Sequence, residues 1–192
     1  MRILLVDENS DRAAVLARAL TEQGYELAAL LSPHDLSLQR VQEIAPDIVV
    51  VDIGSPSRDT IDHMRQITAD QPRPIVMFVD QSDEETIRQA VQAGISAYVI
   101  DGLNARRVKP VLDVAIARFR EVQALREELK KTRETLDERK LIERAKGLLM
   151  RERKLSEGEA YAALRKLAMD RQQKLADVAE ALIAFADVLQ RK

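Results

Sequence analysis

The first 104 residues of the chain alternate between two hydrophobic patterns. Short runs rich in β-branched residues and leucine end in polar turn residues at positions 2–6, 25–31, 48–51, 75–79 and 97–100. Between these runs, apolar residues recur at helical spacing. Such apolar runs are typical of strands buried on both faces, and strands that alternate with helices favour a parallel sheet with right-handed crossovers. The pattern therefore predicts an α/β fold with a doubly wound five-stranded parallel sheet.

Strand patterns stop near Arg106, and an a/d heptad pattern follows. Its positions are Val111, Ala115, Val122, Leu125, Leu129, Thr132 and Leu136. Charged residues fill nearly everything between positions 126 and 140, and neither Gly nor Pro occurs between 111 and 146. This predicts one long helix that pairs with a second copy as a coiled coil. A solvated single-helix linker is the alternative.

Three short helical patterns follow, at residues 141–150, from about 157 to 168, and at 175–189. Ser156 and Glu159 have the spacing of a capping box, which predicts a helix start near Glu157. None of the three is long enough to be stable alone, so we expect them to share a small core. We predict three parts: an α/β domain at 1–118, a coiled-coil helix at 119–140, and an all-α three-helix module at 141–192.

Charge is distributed unevenly along the chain. The formal net charge is only -2. Residues 1–120 carry 13 basic and 18 acidic side chains, whereas residues 139–174 carry 11 basic and 5 acidic ones. Any affinity for a polyanion is therefore expected in the C-terminal part.

Composition removes several classes of function. The chain has no Cys, which excludes a disulfide framework, a thiol nucleophile and a Cys-ligated metal site. Its only histidines are His34 and His63. There is no signal-peptide pattern and no apolar stretch near the ~20 residues that span a membrane, so we expect a cytoplasmic protein. Without a nucleophile–base pair or a Gly-rich phosphate loop, we do not expect an enzyme.

Carboxylates stand at the ends of two predicted strands. Asp7 and Glu8 close the first strand and Asp52 closes the third. In a doubly wound sheet these ends are neighbours, so the three carboxylates would converge and could hold Mg²⁺ while Asp52 attacks a phosphoryl donor. The simpler interpretation is that such residues only start turns and cap helices.

When the spacing of these carboxylates along the chain is also considered, the segment resembles the CheY-like (flavodoxin-like) receiver domain of response regulators over about residues 1–118. The motifs that carry the resemblance are Val6-Asp7-Glu8, Val51-Asp52 with Pro56, and Ala93-Gly94 ahead of Ala97-Tyr98-Val99. The resemblance implies that Asp52 is the phosphoacceptor and that Asp7 and Glu8 form an acidic metal pocket. No cofactor is expected to be required, and Mg²⁺ is a candidate ion for this pocket.

Two positions depart from the receiver pattern. Val79, followed by Asp80, stands where receivers usually carry Ser or Thr, and Asp101 stands where they usually carry Lys. We expect an acidic rim with no fixed cation, which disfavours a stable phospho-aspartate. The domain is therefore interpreted as a pseudo-receiver that a protein partner controls.

Two strings mark the C-terminal module, residues 142–150 (IERAKGLLM) and 164–170 (LRKLAMD). Together with the Ser156–Glu159 spacing, they make residues 138–190 resemble the ANTAR domain of antitermination regulators. The resemblance implies binding to paired hairpins of a nascent leader RNA. By position, the implied RNA contacts are Lys146, Gly147, Arg165, Met169, Arg171, Gln172 and Lys174. A mid-helix glycine such as Gly147 indicates close backbone approach by a partner, or simply tight helix packing.

The order of receiver, coiled coil and ANTAR domain also matches whole regulators. Residues 97–101 and 107–110 look most like NasT-type members, which serve nitrate assimilation. That resemblance implies a partner protein that senses nitrate or nitrite and sequesters the regulator. Binding of two hairpins implies a homodimer.

Other functions remain open from the sequence alone. The three C-terminal helices could form a helix-turn-helix, which would make the chain a DNA-binding two-component regulator switched by phosphorylation of Asp52. Against this, residues 175–189 carry only acidic charges, which DNA phosphates would repel. An adaptor without nucleic-acid binding is another alternative.

Overall fold

A computed structural model of the chain describes residues 1–100 and 105–190. The chain forms two compact units, Met1–Gln123 and Ala124–Lys192. The boundary lies inside the segment that the heptad pattern marked as a helix.

The first unit is built on a five-stranded, all-parallel sheet, as the sequence predicted. Its strands are β1 (Arg2–Asp7), β2 (Glu26–Leu31), β3 (Ile48–Ile53), β4 (Ile75–Val79) and β5 (Ala97–Ile100). The strand order is β2-β1-β3-β4-β5. β1 and β3 continue past the predicted ends because Asp7 and Asp52 themselves pair across the ladder.

Helices connect and follow the strands. They are α1 (Ser10–Glu22), α2 (Leu38–Ile44), α3 (Arg58–Asp70), α4 (Glu84–Gln92), α5 (Ala105–Arg153), α6 (Glu157–Arg171) and α7 (Leu175–Gln190). A short 3-10 turn, Pro33–Asp35, follows β2. Side chains of Asn9, Ser37, Ser57 and Asp83 cap α1 to α4 by accepting backbone N–H groups, which fixes where each helix starts after its strand.

The sheet is buried on both faces by two separate cores. One face carries Leu4, Val6, Val49 and Val51. The other carries Ile3, Leu5, Ile48 and Val50, and packs against α1 and the start of α5. This alternation is the two-residue period of strands covered on both sides. It leaves the carboxyl ends of the strands as the edge where polar side chains gather.

The helix α5 is 49 residues long and runs from Ala105 to Arg153. The short helix predicted at residues 141–150 is therefore not a separate helix but the end of α5. Of the predicted heptad positions, Val111 and Ala115 pack into the core of the first unit. The exposed apolar stripe begins at Val122 and continues through Leu125, Leu129 and Leu136.

A small core joins the three C-terminal helices, as expected. It consists of Ala145 and Leu148 from α5, Leu164 and Ala168 from α6, and Val178, Ala179 and Ile183 from α7. The predicted capping box is present, since the Ser156 and Glu159 side chains each accept the other residue's backbone N–H. α6 ends at Arg171, followed by Gln172 in the left-handed conformation.

No helix in the part of the chain that the structure describes is both long and apolar enough to cross a membrane.

Candidate functional site

Two aspartates lie side by side at the carboxyl ends of β1 and β3. Asp7 pairs with Asp52 in the parallel register of these strands. Asp52 is 0% exposed and Asp7 is 5% exposed. The sequence-predicted convergence of these two carboxylates is therefore present. Two buried carboxylates this close need a counter-charge.

Arg12 supplies that counter-charge. Its Nη2 lies 2.9 Å from Asp7 Oδ1, and its Nε lies 3.1 Å from Asp52 Oδ2. Nη2 also lies 3.5 Å from the main-chain carbonyl oxygen of Asp52. One guanidinium thus contacts both strand-end carboxylates.

The local sequence positions Arg12 at this edge. The Asn9 side chain caps α1 by accepting the backbone N–H groups of Asp11 and Arg12. The Asn9 backbone N–H donates to Asp7 Oδ1 at 2.8 Å. Because α1 begins immediately after β1, its first turn lies over the strand end.

The sequence-based expectation of an acidic rim with no fixed cation is therefore wrong. It considered the ends of the fourth and fifth strands, where receivers usually keep their polar and cationic partners. The missed cation comes from the first turn of α1. The available signal was a basic residue five positions after the strand-end Asp7, just ahead of the helical pattern that follows the first strand.

The environment of Asp52 disfavours its ionised form. Burial raises the pKa of Asp52 to about 6, and the charges of Asp7, Asp80 and Glu8 add to the rise, while Arg12 lowers it. The Asp52 carboxylate oxygens accept no well-aligned hydrogen bond. The 3.1 Å approach of Arg12 is therefore an ion pair without good hydrogen-bond geometry. The hydrogen bond to Asp7, the largest influence, raises the pKa of Arg12, so the guanidinium stays charged.

The other predicted rim residues lie further out. Glu8 and Asp80 are exposed, and a Cβ atom placed on Gly54 would be 4.0 Å from Glu8 Oε2 and 3.6 Å from Asp80 Oδ2. Val79 is buried at the end of β4, so no hydroxyl occupies that position. Asp101 lies outside the described residues.

The predicted magnesium site of Asp7, Glu8 and Asp52 does not fit this arrangement. Among the described residues, no three His, Asp or Glu side chains form a group that could hold a metal ion. Both carboxylate oxygens of Asp7 already accept from Arg12, at 2.9 and 3.3 Å. Mg²⁺ needs such oxygens at about 2.0–2.1 Å in near-octahedral geometry.

In the C-terminal unit, Lys146 is unlike the other predicted RNA contacts because it is buried, at 7% exposure. Its ammonium donates to both carboxylate oxygens of Glu143 at 3.0 Å and to Glu157 Oε1 at 2.6 Å. The hydrogen bonds to Glu157 and Glu143 raise the pKa of Lys146. In this arrangement Lys146 ties α5 to the first turn of α6.

Gly147 is exposed on α5, and a Cβ atom placed on it would meet nothing within 4 Å. Tight packing inside the described chain is therefore not the reason for this glycine. A mid-helix glycine costs about 1 kcal/mol relative to alanine. Nothing in the fold of the described residues offsets that cost.

The remaining predicted contacts are exposed at α6 and the turn after it. They are Arg165, Met169, Arg171, Gln172 and Lys174. Tyr161, Arg165 and Met169 are spaced four residues apart, so they share one face of α6. Within the described residues, no carboxylate lies within ion-pair distance of Arg165, Arg171 or Lys174, whereas Arg144 pairs with Asp187 at 3.2 Å.

The fold and the paired strand-end aspartates define a receiver-type signalling domain. The family model of the response regulator receiver domain matches residues 3–112, and that of the ANTAR domain matches residues 130–183. The chain belongs to the response regulators that carry an ANTAR domain.

One relative extends this similarity over nearly the whole chain, and another over less than half of it. The chain is 32% identical to the transcriptional regulatory protein PdtaR of Mycobacterium tuberculosis, over 95% of this chain and 89% of that protein. It is also 39% identical to the nitrate regulatory protein of Klebsiella oxytoca, over 43% of this chain and 21% of that protein.

Solved structures share the receiver fold. The receiver domain of a modulated diguanylate cyclase from Desulfovibrio desulfuricans aligns with a TM-score of 0.54 at 21% identity, over 62% of this chain and 95% of that one. NtrX from Brucella abortus aligns with a TM-score of 0.53 at 22% identity, over 68% of this chain and 29% of that one.

Proposed function

We propose that the C-terminal ANTAR domain binds paired hairpins in nascent leader RNA and thereby prevents transcription termination. The observation that carries this proposal is the set of exposed cations on α6 and its following turn, Arg165, Arg171 and Lys174, which lack carboxylate partners among the described residues. Cations without internal partners are free to bind phosphates. Stabilising the hairpins would prevent a competing terminator hairpin from forming.

The same surface offers groups that read unpaired bases. RNA loops are recognised by stacking and hydrogen bonding to splayed bases. Tyr161 and Met169 are both exposed, on the α6 face that also carries Arg165. An aromatic ring, a guanidinium plane and a thioether are suitable surfaces for stacked bases.

The buried state of Lys146 changes its proposed role. We assign Lys146 to positioning α6 against α5 through Glu157, and not to direct phosphate contact. Exposed Gly147 fits a different role, because its missing side chain lets an RNA backbone or base approach the helix closely.

Binding of two hairpins requires two modules, so the proposed active form is a homodimer through α5. Val122, Leu125, Leu129 and Leu136 form an exposed apolar stripe at heptad spacing. Isolated exposed leucines are normal, but a heptad stripe flanked by charges is typical of a coiled-coil seam. In a dimer, once one module has bound an RNA, the second module meets the other hairpin at a high effective concentration, which tightens the overall binding.

The similarity to the nitrate regulatory protein supports control of nitrate or nitrite assimilation genes. The partner that we propose is a protein that senses the anion and sequesters the regulator until the ligand arrives. The receiver then serves as its docking and regulatory surface.

A gel-shift titration of the full chain at two salt concentrations tests the proposal. The probes are a two-hairpin leader RNA, the same RNA with scrambled loops, and duplex DNA of equal length. We expect a preference for intact hairpins that persists at the higher salt concentration. Equal, salt-sensitive binding to all three probes would contradict it, because counterion release alone then explains the affinity. Preference for DNA would favour a DNA-binding regulator.

A further inference from the structure

The receiver pocket contains an internal cation where an acidic pocket at strand ends would ordinarily need an external one. Asp7 and Asp52 are both buried, and the Arg12 guanidinium contacts each of them within 3.1 Å. We propose that Arg12 permanently takes the place of a divalent cation in this pocket, so that the receiver neither needs nor binds Mg²⁺.

The oxygen atoms that Arg12 contacts are the kind that Mg²⁺ prefers. They are carboxylate oxygens of Asp7 and Asp52 and the main-chain carbonyl oxygen of Asp52. Hard divalent cations take such oxygen ligands. A guanidinium instead presents several N–H donors in one plane and matches carboxylates in a fork geometry. Both cations therefore compete for the same atoms.

The two cations cannot occupy the pocket together. An oxygen that accepts an N–H at about 2.9 Å is not positioned to hold Mg²⁺ at about 2.0–2.1 Å with octahedral neighbours. Their like charges would also repel each other beside the two buried carboxylates. A metal ion must therefore displace Arg12, which would leave the guanidinium without either carboxylate.

Covalent attachment favours Arg12 in this competition. The residue is fixed in the first turn of α1, whose start is set by the Asn9 side chain. A group held on the same chain acts at an effective concentration in the millimolar range or above, with no cost of bringing two molecules together. Free Mg²⁺ pays that cost and the cost of shedding its tightly held water.

The consequence is a receiver whose pocket carries a permanent counter-charge, the Arg12 guanidinium, beside Asp7 and Asp52. In a pocket that depends on a metal, charge balance varies with the ion and with phosphorylation. Here the counter-charge is a side chain of the polypeptide itself, so it is present whether or not a metal ion or phosphate is bound. Asp52 remains in its ion pair with Arg12, and the pocket lacks the vacancy that a phosphoryl donor bound with Mg²⁺ would enter.

A titration of the full chain with Mn²⁺ tests the proposal. Electron paramagnetic resonance measures the Mn²⁺ that stays free, and Mg²⁺ is added as the competitor. Mn²⁺ also takes oxygen ligands and serves as the probe for Mg²⁺. We expect no pocket binding in the wild type up to millimolar Mn²⁺. Arg12→Ala and Arg12→Gln should gain a site that Mg²⁺ displaces and that Asp52→Asn removes.

Arg18→Ala is the matched control, because Arg18 lies on the same helix but forms an exposed pair with Glu22 at 3.0 Å. It should behave as the wild type does. Wild-type binding of Mn²⁺ at micromolar concentration, abolished by Asp52→Asn, would overturn the proposal whether or not the Arg12 variants fold. Failure of both Arg12 variants to gain a site, with circular dichroism unchanged, would overturn it as well. RNA binding has no part in this measurement, so its outcome is independent of the proposed function.

Discussion

Single residues in this protein differ sharply in whether the fold explains them. Gly147 interrupts an otherwise favourable helix, yet a Cβ atom there meets no neighbour within 4 Å. Lys146, beside it, is buried and bound to two glutamates. Neighbouring positions in one motif therefore differ in what they contact. Gly147 is open to an outside molecule, whereas Lys146 holds α5 and α6 together.

Gly147→Ala should stabilise the protein and weaken its RNA binding. The added methyl group raises helix propensity, which should increase the free energy of unfolding by about 0.5–1 kcal/mol, while it obstructs close approach of RNA. Gly158→Ala is the control, since Gly158 is also an exposed helical glycine with nothing within 4 Å of its Cβ position. Urea denaturation and gel shifts measure both. An unchanged RNA affinity in Gly147→Ala would remove this contact.

Arg165 and Lys146 should differ in how their loss changes salt dependence. Arg165→Met would remove the proposed phosphate contact, so the slope of log Kd against log salt should become shallower by about one. Lys146→Met should lower the thermal midpoint, because Glu157 loses its partner, but should leave that slope unchanged. Filter-binding titrations at four salt concentrations make the comparison. A shallower slope for Lys146→Met would show that it leaves its glutamates to contact RNA.

Asp52→Asn should stabilise the protein more at pH 8 than at pH 5. The folded-state pKa of Asp52 is raised to about 6, so folding binds a proton that the unfolded chain releases near pH 4. The stability that depends on this proton is full below pH 4 and is lost as pH rises through 6. Asparagine does not ionise, so its advantage should grow by about 1–2 kcal/mol between pH 5 and 8. Chemical denaturation at both values measures this. An equal difference in unfolding free energy between Asp52→Asn and the wild type at the two pH values would contradict the raised pKa of Asp52.

At the scale of elements, α5 carries two kinds of apolar position. Val108, Leu112 and Ala115 are fully buried in the receiver core, whereas Leu125 is 59% exposed and Leu129 is 50% exposed. Charged residues surround the latter, and these heptad leucines lie exposed in the part of the chain that the structure describes.

If the proposed coiled-coil dimer forms, Leu125→Glu combined with Leu129→Glu should convert it to a monomer. Carboxylates at a and d positions would be buried against their counterparts in the second copy and repel them. Lys130→Glu with Lys131→Glu is the control, since it changes the charge more, at heptad positions that face away from the seam. Analytical ultracentrifugation gives the masses. An unchanged mass for the leucine variant would place the dimer contact elsewhere, or show that the chain is a monomer.

The sequence predicted the elements well where periodicity was strong. All five strands were predicted within two residues of their observed bounds, because each is an apolar run closed by turn residues. The capping box at Ser156 was equally clear, since it is a local motif. The helical pattern at 141–150 was predicted as a separate short helix but continues α5, because no Gly, Pro or cap stands ahead of it.

Contacts between distant elements were less accessible to sequence reasoning. Arg12 belongs to a different element from the strand ends that it neutralises. Lys146 reads as a surface cation until α6 brings Glu157 to within 2.6 Å of it. Both cases require knowledge of which helix start lies against which neighbour. Pairing of charges across helices has no periodic signature.

For the whole molecule, the pocket occupied by Arg12 predicts that regulation does not pass through a phosphate on Asp52. Asp52→Asn in the full chain should therefore leave antitermination within about twofold of wild type. A reporter gene placed behind the leader and its terminator measures this in the native host, with Arg165→Ala as the inactive control. Loss of read-through in Asp52→Asn, with protein levels unchanged, would show that phosphorylation is required.

Residues 117–140 of α5 belong to none of the three hydrophobic cores. A genetic crossover within the corresponding codons would therefore leave the receiver core and the ANTAR core each encoded in full. A junction that adds or removes residues in multiples of seven would also keep the leucine stripe in phase. This stretch of α5 is accordingly a point at which related genes could exchange their receiver and ANTAR halves while each hydrophobic core stays intact.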